Sequence, residues 1–239
     1  MKNEMFDFNS GSYSKEITRD FFKSVYAYMF AALSLSGIIA YVAGTPEVFA
    51  TYFLNAEQTG MSPLFYVVAF APVGLALWIQ MGYQRLSYGM LLLLFIVYAV
   101  LMGLSLSTIM LVYSGTQLAT TFFITAGAFA GMAILGYTTK TDLTKFGSLL
   151  YMLFIGIFIA GIVNVFIGSD ALGFGIAILG VFVFTGLTAY YMQQLKSVAN
   201  NTMLSAVDRS KLALIGGLQL YILFVNLFLS LLRLLGGRD

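Results

Sequence analysis

Apolar residues in this chain run together in long blocks separated by short polar links. A bilayer core about 30 Å thick is crossed by roughly 20 apolar residues of helix. Seven blocks meet that length: 22–44, 63–82, 88–112, 117–137, 146–167, 171–193 and 212–235. The pattern predicts an all-α fold, an integral membrane bundle of seven transmembrane helices. Residues 1–21 are polar and mixed in charge, unlike a signal peptide, and are expected to form a short cytoplasmic tail. Residues 22–237 are expected to form a single seven-helix domain. The links are short except for 45–62 and 194–211, and no soluble domain, low-complexity region or convincing internal repeat interrupts the pattern.

The last block is unlike a lipid-facing helix. From Gly216 to Gly237 it has no charge before Arg233, yet it carries Gln219, Tyr221, Asn226 and Ser230. A polar group in hydrocarbon needs a partner. The seventh helix is therefore expected at the centre of the bundle, ringed by the other six.

Composition narrows the function. Of the 239 residues, 60% are hydrophobic and 9% charged, against about 25% charged in soluble domains, so the bilayer is the first partner. The 24 glycines suit closely packed membrane helices. The absence of cysteine excludes disulfides and thiolate metal sites. The absence of histidine removes the usual general base, the commonest zinc ligand and the readiest sensor of near-neutral pH. A net charge of +2 gives no reason to expect nucleic acid, and no cofactor is implied.

Basic residues orient the chain. Lys2, Lys15, Arg19 and Lys23 precede or open the first span; Arg85, Lys140, Lys145, Lys196, Arg209 and Lys211 lie at the second, fourth and sixth links. These are ten of the twelve basic residues, so that side is read as cytoplasmic and the N-terminus with it. Seven crossings put Arg233, Arg238 and the C-terminus outside. A re-entrant final segment would return them to the cytoplasm, and the sequence allows either.

All ten acidic residues lie in tails, links or helix ends. Intramembrane carboxylates usually mark proton relays and cation sites, so a proton-coupled transporter and a carboxylate-lined pore are disfavoured. Without histidine, cysteine or a buried acid, no protease dyad is visible, and no glycine-rich phosphate loop appears. An enzyme is not expected.

Several features have a plain structural use beside any functional one. Gly127 and Gly131 form a GxxxG step, with Gly136 following. Such a step serves a dimer face or, more commonly, close packing within one bundle. Asn164 and Asn226 can each bond to a neighbouring helix as glue, or line a pore. Pro63 can open the second helix without breaking a bond, while Pro72 falls inside it and should kink it. In the link 136–147, threonines and Asp142 are placed to cap the next helix.

The stretches 98–115, 122–148, 162–168, 186–190 and 226–236 include YAVLMGLSLSTIMLVYSG, FFITAGAFAGMAILGYTTKTDLTKFGS and NLFLSLLRLLG. In these the chain resembles the Bax inhibitor family of seven-helix membrane proteins (the Bax inhibitor-1/YccA-like group), from about Phe22 to Gly237. The resemblance implies a bacterial inner-membrane protein with six helices around the seventh. Some members look like pH-dependent calcium leak channels gated by two aspartates, where two close carboxylates cannot easily both ionise. The first follows the tyrosine of a T-A-Y-D pattern, which here reads Thr188-Ala189-Tyr190-Tyr191, placing Tyr191 at that position. The second belongs to an L-Y-L-D-F-I-N pattern, here Leu220 to Asn226, placing Leu223 there. Both aspartates are missing, and the expectation is a neutral plug without the proton and calcium switch; ordinary core packing is the alternative.

Tyr191 lies five residues before Lys196, roughly 7 Å deep, and Leu223 twelve after Lys211, roughly 18 Å along its helix. They can meet only if the seventh helix begins with extra turns in the cytoplasm. Two functions remain. One is a leak for calcium or monovalent cations, with Tyr190, Tyr191, Gln193, Gln219, Tyr221 and Asn226 lining a path. The other is a non-conducting regulator of stress response or membrane proteolysis that acts through other membrane proteins.

Overall fold

The computed structural model describes residues 2–55, 57, 60–201 and 203–236, with 2–14 described by backbone alone. Seven long helices carry the predicted spans: α1 (Lys2–Ala43), α2 (Pro63–Gly82), α3 (Tyr88–Leu106), α4 (Gly115–Thr138), α5 (Thr144–Ile167), α6 (Asp170–Ala199) and α7 (Ala206–Leu235). Each is long and apolar enough to cross a membrane. The polar residues expected as a tail continue α1 upstream of its span.

Hydroxyls start several of these helices. Ser62, Ser87 and Ser169 are N-caps that accept from the backbone N–H groups of Phe65, Met90 and Leu172, satisfying donors the helix itself cannot. Pro63 opens α2 as expected, where no N–H is needed. Gly168 ends α5 in the left-handed region at φ 65°, a conformation that favours glycine. Between α1 and α2 the chain forms a short helical turn, Pro46–Val48, then a π-helical turn, Phe49–Phe53.

The chain divides into two compact units. The first takes the helices up to Ser114 with the part of α7 that ends at Leu218. Here α1 packs along α3, and α2 packs on α3. Gly103 of α3 lies so close to α1 that an added Cβ would stand 2.7 Å from the Ser36 carbonyl oxygen. Gly217 of α7 admits α1 in the same way, 2.6 Å from the Cβ of Tyr28. The phenols of Tyr28 and Tyr88 share a hydrogen bond of 2.6 Å.

Pro72 lies inside α2 and is buried. It has no N–H for the carbonyl of Val68, four residues earlier. The Ser105 hydroxyl of α3 donates to that carbonyl instead, at 2.6 Å. The third span is interrupted after Leu106, and a short helix, Ile109–Val112, resumes beyond it. The hydroxyls of Ser107 and Thr108 donate to the carbonyls of Leu104 and Ser105 across that break.

The second unit takes Gly115 to Asn201 with α7 from Gln219 onward. Its α6 packs against both α4 and α5. Phe224 of α7 meets Phe122 and Phe129 of α4 edge-on, with ring centroids 5.4 and 5.5 Å apart. At one end Gly173 of α6 lies against the Arg233 guanidinium, and Gln117 donates to the carbonyl of Gly236 at 3.3 Å. At the other, Gly136 of α4 lies on the backbone of Ala189. The final helix therefore runs the full length of this unit and does not turn back. Of the seven spans α7 is the most enclosed, with 61% of its most apolar stretch buried, and α5 the least, with 0%.

Two sequence expectations are corrected here. Gly127 and Gly131 do not serve close packing inside the chain, because an added Cβ at either meets nothing within 4 Å. The closely packed glycine of α4 is Gly136, which faces a neighbour across which only a bare backbone fits. Among the described residues, Asn164 and Asn226 bond locally rather than across helices. Asn164 accepts from the N–H of Ser169 just past its own helix, at 3.1 Å. Asn226 donates to the carbonyl of Ile222 one turn back, at 2.8 Å. An amide four residues from a backbone carbonyl can use that nearby partner with little reorganisation.

Candidate functional site: a neutral tyrosine and glutamine cluster

The residues singled out by the sequence cluster in the second unit, at the ends of α6 and α5 joined to the polar links. Tyr191 is the key member. Its hydroxyl accepts a hydrogen bond of 2.6 Å from the Gln219 side-chain amide of α7. Its ring is edge-on to Tyr151 of α5, with centroids 6.0 Å apart, and to Tyr190, at 5.7 Å. Tyr190 also meets Tyr151 at 6.2 Å and lies across Gly147, the glycine of α5 whose missing side chain makes room for it.

Gln219 stands four residues before Leu223, one turn away on the same face of α7. Tyr191 thus engages α7 one turn short of Leu223. Leu223 is buried, and beside it Leu220, Tyr221, Phe224 and Val225 are buried as well. The extra turns that their meeting requires are present: α7 begins at Ala206, six residues before the predicted boundary, and α6 continues to Ala199. Polar residues in water sustain a helix as well as apolar ones, so hydropathy placed both boundaries too deep.

Gln193 has a different task. Its carbonyl oxygen accepts from the N–H of Leu143 at 2.9 Å, and its amide donates to the carbonyl of Thr141 at 2.8 Å. Both ends of the side chain hold the link between α4 and α5. The same link is fixed by Lys196, which donates to the carbonyl of Tyr137 at 2.8 Å and lies over that ring, 5.0 Å from its centroid. Asp142 accepts from the N–H and the hydroxyl of Thr144, at 2.9 and 2.6 Å, the cap expected for the next helix. Those two bonds hold its carboxyl below the usual aspartate range, the side-chain bond contributing most.

Tyr191, Gln219 and Tyr190 are therefore brought together, Leu223 lies one turn further along α7 and is buried, and Gln193 and Asn226 are engaged by backbone groups. Tyr151 completes the cluster and was missed by sequence reading. A tyrosine in an apolar span has no periodic signal that says which neighbour its ring will meet. Among the described residues no group of three histidines, cysteines or carboxylates gathers in a metal-binding arrangement.

The family model described as "Inhibitor of apoptosis-promoting Bax1" matches residues 18–239. The chain belongs to the Bax inhibitor-1 family. It is 40% identical over 240 residues to a protein of Rickettsia prowazekii, covering 99% of this chain and 94% of that one. It is 39% identical to the inner membrane protein YbhL of Escherichia coli strain K12, over 90% of each chain. A membrane protein of Streptococcus pyogenes is 30% identical, over 92% of this chain and 93% of its own. This Bax inhibitor-1 family protein thus combines, among its described residues, seven helices long and apolar enough to cross a membrane with a cluster built from tyrosine and glutamine side chains.

Proposed function

We propose that this chain is an ion-leak protein of the bacterial inner membrane whose pathway runs beside α7 and whose di-aspartate switch is replaced by a neutral plug. On this reading the N-terminus is cytoplasmic, the C-terminus is outside, and calcium or monovalent cations are the species that pass when the plug is displaced. The observation that carries it is the 2.6 Å bond between Gln219 and Tyr191, at the family position of one aspartate and one turn from the other. A phenol and an amide close that position without a charge for a proton or calcium to act on. No catalysis is part of this role, in keeping with a chain that has no histidine or cysteine.

The test is flux of calcium and potassium into liposomes holding the purified protein, at pH 6 and pH 8. The natural chain is compared with the double variant Tyr191→Asp plus Leu223→Asp. The expected result is a natural chain with little calcium flux at either pH and a variant that leaks calcium in a pH-dependent way. Strong calcium flux through the natural chain would overturn the plug.

A second reading has its own support. The Gln193 and Asn226 amides, candidates for lining a path, are bonded to backbone groups. A bundle lined in that way suits a non-conducting regulator that binds other membrane proteins. Silence of both the natural chain and the double variant toward every ion, with a defined membrane protein co-purifying in fixed stoichiometry, would favour it.

A further inference from the structure

We propose that Arg233 binds the phosphate group of a membrane phospholipid, in a seat formed where the last turn of α7 meets the first turn of α6. The site is independent of the leak reading and lies at the opposite end of the unit from the tyrosine cluster. Gly173, in the first turn of α6, is buried beneath the Arg233 guanidinium, and an added Cβ there would strike the guanidinium itself. Gly180, seven residues on and about two turns along α6, lies on Ser230 of α7. The two helix ends are thus in register, and the glycine removes the side chain that would push the guanidinium away.

The seat places the cation without a counter-charge. Among the described residues the ion pairs are those of Asp20 with Arg19 and Lys23, and Arg233 is in neither. Asp170 opens the same turn of α6 and is exposed, yet it forms no ion pair with Arg233. The backbone of that turn is the positive end of the helix dipole and does not neutralise a cation. The helix ends on this side carry exposed apolar side chains: Phe166 and Ile167 on α5, Phe174 on α6 and Leu235 on α7. Lipid tails cover such surfaces. An arginine is costly in hydrocarbon and extends its head toward the headgroup level. The anion it meets there is phosphate, and the planar fork of a guanidinium matches two phosphate oxygens.

The experiment uses the full-length protein in a maltoside detergent, which carries no phosphate. The probe is phosphatidylglycerol, counted per protein by native mass spectrometry and read again as a rise in melting temperature. Diacylglycerol with the same chains and inorganic phosphate are the comparison ligands. Arg233→Gln should weaken binding of one phosphatidylglycerol roughly five- to thirty-fold, the range for loss of a charge-assisted contact. Arg233→Lys, which keeps the charge and loses the fork, should fall between the two. Gly173→Ala keeps the arginine but removes its seat, and should weaken the lipid nearly as much as Arg233→Gln. Its melting temperature without lipid should be unchanged or higher, because the displaced group is the end of a flexible side chain and alanine is the better helix former. Lys140→Gln plus Lys145→Gln, at the other end of the unit, should leave this lipid in place.

Equal retention of phosphatidylglycerol by the natural chain and Arg233→Gln would overturn the site. Natural affinity in Gly173→Ala would overturn the seat. Lipid binding that appears only in Asp170→Asn would mean that this carboxylate, not a lipid, answers the arginine. Diacylglycerol bound as tightly as phosphatidylglycerol would remove the phosphate from the interaction. An Arg233-dependent melting shift with inorganic phosphate alone, and none with the lipid, would make this a site for a free anion.

Discussion

The Ser105 hydroxyl donates to the carbonyl of Val68 because Pro72 cannot. A proline inside a membrane helix leaves a carbonyl without its usual donor in a medium that has no water to replace it. Here a serine from the neighbouring helix fills the gap, so the break in the α2 ladder and its packing on α3 are one feature. Ser105→Ala should cost about 0.6–2 kcal/mol. In a Pro72→Ala background the cost should nearly vanish, because an alanine at that position returns the missing N–H. Thermal unfolding of the four proteins in detergent gives the coupling directly, and equal costs in both backgrounds would disprove it.

The glycines of α4 should respond oppositely. Gly136→Val places a side chain on the backbone of Ala189, and overpacking of this kind costs roughly 1–3 kcal/mol. Gly127→Ala enters open space and should leave stability unchanged or raise it, alanine being the better helix former. Melting temperatures of the two variants decide between this assignment and one in which the GxxxG step carries the packing.

Gln193→Ala should loosen the link between α4 and α5 without opening the bundle. Both of the amide's bonds end on that link. Hydrogen exchange at residues 139–143 should rise about ten-fold or more, in line with the loss of restraints worth roughly 1 kcal/mol each. Exchange in the core of α6 and ion flux should stay as they were; a rise in flux would return Gln193 to the pathway.

Asp142 gives a pH dependence of definite sign. Its carboxyl is held below the ordinary range by the hydroxyl and N–H of Thr144. A depressed folded value means that the cap contributes above the unfolded value, about pH 3.9, and is lost as pH falls through the lower folded value. Nuclear magnetic resonance titration of the Asp142 carboxyl should find a midpoint below that of Asp142 in a Thr144→Ala variant. From about pH 5 to 8, well above both values, the link should not change. An unshifted midpoint would mean that the cap does not persist in solution.

The fold was legible in the sequence because hydrocarbon is a demanding solvent. Each span had to be long and apolar, and the seven predicted blocks coincide with seven long helices to within a few residues at most ends. The exceptions are α1, the break after Leu106 and the polar ends of α6 and α7, where water or a hydroxyl satisfies the backbone and hydropathy has nothing to detect. The site was legible in part. Tyr191 and Gln219 were both named, but not as partners, and Tyr151 was not named at all.

By itself, the sequence determined that this is a seven-span membrane protein with every carboxylate outside the apolar blocks. Those properties follow from the cost of placing polar groups in lipid, which acts on each residue separately. Only the tertiary structure decided which polar group answers which. An amide such as Asn226 can bond to its own helix or to another at similar free energy, and an exposed glycine step can look the same in sequence as a buried one. The choice depends on small differences in the distance between helix backbones, and these are set by packing.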